Sequence, residues 1–79
     1  MTFAKTEQEW AEKAARHLKA ELKRADVTYE ELAERLKKHG FQETKASIAN
    51  KLARATVPAA FFLAALAAIG CEAVQIEDL

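Results

Sequence analysis

Apolar residues recur along the first part of the chain with the spacing of an α-helix. Four of them follow one another at intervals of four: Trp10, Ala14, Leu18 and Leu22. Residues spaced in this way form a stripe on one face of a helix, which we expect to pack into a core. Thr6, with Glu9 three residues later, is the signature of a capping box. The pattern therefore predicts a first helix over residues 7–25.

The next stretch predicts a second helix over residues 29–39. Thr28 and Glu31 repeat the capping-box spacing, and Val27 and Leu32 are placed to form a hydrophobic staple around that box. The helix is expected to stop at Gly40, because glycine readily adopts the left-handed conformation that ends many helices.

A third helix is predicted over residues 45–54, with Thr44 as its cap. Ile48 and Leu52 form its core pair. On a helical wheel Asn50 points away from Ile48, whereas Lys45 turns toward the buried edge. The outward face of this helix is therefore a candidate binding surface.

A fourth helix is predicted over residues 58–69, with Pro58 at its first position. This segment is apolar on every side, so we expect it to be buried on every side, in a homodimer interface as well as in the core. The tail, residues 71–79, alternates apolar and polar residues, which is a weak signal for a short C-terminal strand. The predicted interface residues are Phe61, Phe62, Leu66, Val74 and Ile76.

The composition fits one helical domain. The chain has 79 residues, of which 51% are hydrophobic and 30% are charged, with two glycines and one proline. This balance favours a compact helical fold over disorder or an all-β fold. We predict a single all-α domain over residues 1–79, a bundle of four to five helices.

No pattern of catalytic or metal-binding residues accompanies these helices. Cys71 is the single cysteine, and neither His17 nor His39 has a partner at a metal-ligand spacing. The longest apolar run, residues 57–71, is shorter than the roughly 20 residues of a membrane span. We expect a cytoplasmic protein that is not an enzyme and that takes no cofactor, metal, membrane or small-molecule ligand.

Charge is unevenly distributed, although the formal net charge is zero. Residues 35–54 carry six cations and one anion, giving +5, whereas residues 1–34 sum to −2 and residues 55–79 to −3. A concentrated positive charge is the electrostatic footprint expected of a nucleic-acid-binding surface.

The run from Val27 to Leu36 resembles the first half of the helix-turn-helix of the phage lambda repressor and Cro superfamily. Ser47-Ile48, and Arg54 followed by Pro58, are similar to the second half and to what comes after it. The fold implied is a lambda-repressor-like helix-turn-helix bundle. Two features depart from the family. The stretch from Leu36 to Ile48 is about five residues longer than the usual tight turn, and Ala55 stands where the family commonly has glycine.

Part of the pattern is also similar to a family of small bacterial domains without a known function. That similarity is carried by residues 50–54, by Phe61-Phe62-Leu63 and by Ile69-Gly70. It implies no mechanism.

The helix-turn-helix resemblance implies that the third helix is a recognition helix lying in the major groove of DNA. It places base contacts near Thr44, Lys45, Ala46, Ala49, Asn50 and Ala53. The helical wheel instead favours Ser47 and Arg54. Both sets are kept, and the candidate DNA-binding residues are Thr44, Lys45, Ala46, Ser47, Ala49, Asn50, Lys51 and Arg54. Asn50 ranks first, because asparagine can form two hydrogen bonds with adenine. Phosphate contacts are expected from Thr28, Tyr29, Lys37 and Lys38.

Two functional hypotheses follow. The first is a homodimeric, sequence-specific double-stranded DNA-binding protein that regulates transcription. The second is a protein-interaction module that docks a partner through its apolar fourth helix.

Overall fold

The computed structural model describes residues 4–79, so the first three residues of the predicted domain lie outside the described residues. Within that range the chain forms four α-helices, which confirms the all-α class. They are α1 (Glu7–Ala25), α2 (Tyr29–Leu36), α3 (Lys45–Ala53) and α4 (Ala59–Ala68). A short 3₁₀ turn, Lys37–His39, extends α2, and a second one, Ile76–Asp78, lies in the tail.

A threonine caps each of the first three helices. The hydroxyl oxygen of Thr6 accepts the N–H of Glu9 at 3.1 Å, and that of Thr28 accepts the N–H of Glu31 at 3.1 Å. Each bond satisfies one of the backbone donors that a helix leaves unpaired at its start. Because the partner lies only three residues away, these caps are readable from local sequence.

The core lies where the four helices meet. α2 packs against α3 and α4, and α1 also packs against α3 and α4. The largest fully buried side chains are Phe61, Leu18, Leu32, Leu36, Ile48 and Leu52. Every helix contributes at least one of them, so each helix is held mainly by the burial of one apolar face.

Trp10 does not belong to this core, contrary to the sequence prediction. It is 39% exposed, and the buried face of α1 starts later, with Ala15, Leu18 and Leu22.

Four described residues have left-handed backbone, Asp26, Gly40, Ala55 and Gly70, and two of them lie on either side of α3. Gly40 has φ +85° after the 3₁₀ turn, and Ala55 has φ +55° after α3. Ala55 therefore keeps the conformation for which glycine is the usual residue, at a position where the resembling superfamily commonly has glycine.

The tail does not form the predicted strand, since no strand is present within residues 4–79. A strand needs a neighbouring strand to satisfy its backbone, and the described part of the chain offers none. Local bonds are made instead, from the N–H of Asp78 to the carbonyl of Gln75 at 2.9 Å. Lys13 Nζ on α1 donates to the carbonyl of Leu79 at 2.8 Å, which holds the tail against α1.

Candidate nucleic-acid interface

The outward face of α3 is exposed as its periodicity predicts. Ile48 and Leu52 are buried, which turns Ala46, Asn50 and Ala53 to solvent. These three residues are spaced by four and then three positions, so they form one continuous stripe, here called the outer stripe of α3. The stripe offers one amide side chain between two methyl groups.

The start of α3 lies beside the start of α2. Lys45 Nζ is 3.9 Å from Glu30 Oε1, and the Lys45 side chain is 68% exposed. The prediction from the helical wheel that Lys45 faces the buried edge is therefore wrong, because a first-turn residue here lies beyond the packed part of the helix. The first turns of α2 and α3 thus present their side chains on one side of the molecule.

Ser47 and Lys51 are engaged inside the protein. Ser47 Oγ accepts the N–H of Thr44 at 2.8 Å and donates to Glu43 Oε1 at 2.7 Å, while the Thr44 hydroxyl accepts the N–H of Ser47 at 3.0 Å. Ser47 and Thr44 therefore form a reciprocal capping box. Their hydroxyls fix the first turn of α3 and are not turned toward a ligand.

Lys51 belongs to a cluster that ties α3 to α4. Its Nζ donates to both oxygens of Glu43 at 2.9 Å and lies 5.4 Å from the ring centroid of Phe61. The Glu43 and Lys51 side chains are only 10% and 28% exposed. Phe41 meets Phe61 edge-on, with ring centroids 6.4 Å apart. The longer connection between α2 and α3 is thus folded over the core, and the Lys51 charge is used within the chain.

Ion pairs reduce the positive charge that the sequence indicates. Four cations of residues 35–54 have carboxylate partners: Arg35 with Glu31, Lys37 with Glu34, Lys45 with Glu30, and Lys51 with Glu43. Three of these partners lie on α2, before the window in which the +5 was counted. Lys38 and Arg54 form no ion pair within residues 4–79.

The remaining predicted contact residues differ in their exposure. Thr28 is used as the cap of α2, and Tyr29 is partly buried against the core. Ala49 is also partly buried, whereas Lys38 is exposed at the end of the 3₁₀ turn. The structure therefore does not bring Thr28, Tyr29, Lys37 and Lys38 together as one cluster of free donors.

A groove between α1 and the end of α3 was not anticipated from the sequence. Its volume is about 260 Å³, and Arg16 and Lys19 of α1 line it together with Ala53 and Arg54. The sequence places Arg16 and Lys19 on the polar side of α1. Only the packing of α1 against α3 brings them beside Arg54.

The face of α4 that points away from the core is exposed in the single chain, and it is the part of α4 that the predicted homodimer interface would have to cover. Leu63 is 65% exposed, and Ala59, Ala60 and Ala67 are also exposed. Phe61 and Leu66 were expected at a subunit interface, but both are buried in the protomer's own core and offer no surface to a second copy. Of the other predicted interface residues, Phe62 and Val74 are partly buried and Ile76 is exposed.

A second cavity lies between α1 and the tail, with a volume of about 740 Å³. Glu21 and Arg24 form an ion pair at its edge, and Cys71 and His17 line it. The Nε2 atom of His17 is buried and has no hydrogen-bond partner among residues 4–79. In residues 4–79 no three histidine, cysteine or acidic side chains are grouped so as to hold a metal ion. No helix in that range is long and apolar enough to cross a membrane.

These observations define a small all-α domain in which α3 exposes a face of polar and small side chains and α4 is apolar. The chain belongs to the family described as "Domain of unknown function (DUF6471)", whose model matches residues 10–74. No curated protein and no solved structure matches the chain.

Proposed function

We propose that this protein binds double-stranded DNA with sequence specificity, as a homodimeric regulator of transcription, with α3 lying in the major groove. The observation that carries the proposal is the outer stripe of α3, which is exposed along its length while Ile48 and Leu52 hold the opposite face in the core. A helix anchored in this way can enter the major groove without leaving its own fold.

The side chains of the stripe fit the edges of base pairs. The side-chain amide of Asn50 can accept one hydrogen bond from adenine and donate another to it, while Ala46 and Ala53 can contact thymine methyl groups. Lys45, at the exposed start of α3, can reach guanine or a phosphate. Ser47 and Lys51 are left out of this set because the capping box and Glu43 already engage them.

The geometry of the α2–α3 pair also supports the proposal. In a helix-turn-helix the recognition helix enters the groove by its N-terminal residues, while the preceding helix crosses the DNA backbone. The proximity of Lys45 to Glu30 places the two helix starts on one side of this molecule. The same arrangement brings Glu30 and Glu31 close to the proposed DNA surface, which disfavours phosphate contacts from the start of α2.

The exposed face of α4 supports the homodimeric part of the proposal. Residues 55–71 contain no ionisable group except Cys71, so two copies related by a twofold axis would bring no like charges together there. Two copies of α3 would then bind two half-sites whose centres lie about 34 Å apart, or a multiple of that distance. This arrangement requires a palindromic operator.

The test is selection of bound duplexes from a random pool, followed by titration of the selected duplex at about 50 mM salt. We expect a palindromic consensus and, for Asn50→Ala, reduced discrimination between the consensus and a variant with one adenine replaced. Gln75→Ala, which removes an exposed amide from the tail, is the matched control and should bind as the wild type does. An absence of duplex binding by the wild type at this salt concentration would remove the proposal.

A second candidate function is the docking of a partner protein through α4, favoured by the exposure of Leu63. Sedimentation separates it from the homodimer. We expect the wild type to sediment as a dimer and Leu63→Asp as a folded monomer, with Ala73→Asp as a control that adds the same charge outside the α4 face. A wild type that remains monomeric favours the second candidate.

A further inference from the structure

The groove between α1 and the end of α3 differs in its charges from the surface around α2. Arg16, Lys19 and Arg54 line it, and none of the three forms an ion pair within residues 4–79. Around α2, by contrast, Arg35, Lys37 and Lys45 all have glutamate partners. Lys38 and Lys23 also have no ion pair within residues 4–79, but neither lines the groove, which brings three such cations together.

The only carboxylate lining the groove is that of Glu12. It accepts a hydrogen bond from the Gln8 amide at 3.4 Å, so part of its acceptor capacity is already used. The three cations exceed the one anion by two charges. An anionic ligand can therefore enter without displacing an existing ion pair.

The groove is continuous with the proposed base-contacting surface. Ala53 ends the outer stripe of α3 and also lines the groove, next to Arg54. A DNA strand that follows α3 toward its C-terminal end therefore leaves the stripe at this groove. Arginine and lysine are the side chains that most often hold phosphate oxygens in protein–DNA complexes.

We propose that this groove binds the DNA backbone next to the half-site, with Arg16 and Lys19 of α1 and Arg54 of α3 as phosphate ligands. The proposal rests on the proposed function, because it assigns the backbone contacts of the same complex. It assigns the phosphate contacts to the junction of α1 and α3 and not to the start of α2, where Glu30 and Glu31 lie.

The test measures the dissociation constant against salt concentration, on the selected duplex and on an unrelated duplex. The variants are Arg16→Gln, Lys19→Gln and the double variant that carries both substitutions. Loss of two phosphate contacts should make the slope of log K against log salt shallower by about 1.8, since each contact contributes about 0.9. Affinity should fall by the same factor on both duplexes, because phosphate contacts carry no base information.

Lys23→Gln is the matched control, because Lys23 is an exposed cation of α1 with no ion pair within residues 4–79 and lies outside the groove. It should leave the slope unchanged. Circular dichroism checks that each variant keeps its helices, and all the substituted side chains are exposed, so folding should be retained.

Three results would overturn the proposal, and they are distinguishable. If the wild type binds duplex but the double variant keeps the wild-type slope of log K against log salt, the groove does not hold the phosphates and the proposed function stands. If a polyglutamate peptide displaces the duplex from the wild type as well as a competing duplex does, the groove takes acidic side chains instead of phosphates. If the wild type binds no duplex, both proposals fail together.

Discussion

α3 (Lys45–Ala53) and α4 (Ala59–Ala68) are of similar length, and each buries two or three side chains in the same core. The side chains that the two helices expose to solvent differ. α3 exposes Asn50 and Lys45 with small alanines between polar groups, whereas α4 exposes Leu63 among alanines. The comparison shows that the sequence alone orients α3, whose large apolar residues lie on one face, whereas packing selects the buried face of α4, which is apolar on every side.

The same comparison explains why α4 is not buried on every side. A domain of this size buries only about 60% of the surface of its unfolded chain, so no helix can be enclosed completely. Most of the exposed positions of α4 are alanines, which expose little apolar area each. Leu63 is the exception, and that makes it the residue with which to probe this face.

The largest expected effect contrasts two side chains of α4. Phe61→Ala removes a fully buried ring that Lys51 and Phe41 also contact, and we expect a loss of about 4 kcal/mol in the free energy of unfolding. Leu63→Ala, the matched control on the face exposed in the single chain, should cost about 0.5 kcal/mol or less at a protein concentration at which the chain is monomeric. Urea unfolding followed by circular dichroism measures both. Equal losses would mean that the two faces of α4 are not distinguished as described.

The next effect concerns how α3 is held against α4. Glu43→Gln leaves the partly buried Lys51 without its ionic partner and weakens the bonds to Ser47 and Lys51, so we expect a loss of about 2 kcal/mol. Glu34→Gln breaks a fully solvated pair with Lys37 and should cost about 0.5 kcal/mol or less. Thermal unfolding of the two variants under the same conditions makes the comparison. A Glu43 variant as stable as the Glu34 variant would contradict a structural role for this cluster.

The smallest effect lies at the junction between α3 and α4, and it has the opposite sign. Ala55→Gly relieves the cost of a left-handed alanine, about 1 to 2 kcal/mol, but increases the entropy of the unfolded chain, so we expect a net gain of about 0.5 kcal/mol. Ala53→Gly, two residues earlier at the last position of α3, should instead lose about 0.5 kcal/mol. Unfolding free energies that move in the same direction for both variants would exclude this explanation.

The first-turn signals of α1, α2 and α3 could be predicted from the sequence because each cap joins residues three apart. The outer stripe of α3 could also be predicted, since Ile48 and Leu52 alone orient the helix. The Glu43–Lys51–Phe61 contacts and the groove beside Arg16 could not, because they join residues whose proximity depends on packing. Two of the ion pairs on α2 could also be predicted from spacing, because Arg35 and Lys37 lie four and three positions after their partners Glu31 and Glu34. The +5 of residues 35–54 left these glutamates out because they precede that window. The Lys45–Glu30 pair could not be predicted, because it joins two helices.

Residues 55–71, which include α4, contain no charged side chain, and this has a practical consequence for mass spectrometry. Trypsin cleaves after lysine and arginine, and Arg54 is the last such residue in the chain. Complete digestion therefore keeps residues 55–79, with the whole of α4, together in one peptide whose mass reports every covalent modification of that helix. Hydroxyl-radical labelling before digestion would show, in this single peptide, whether Leu63 is accessible at low protein concentration and protected at high concentration.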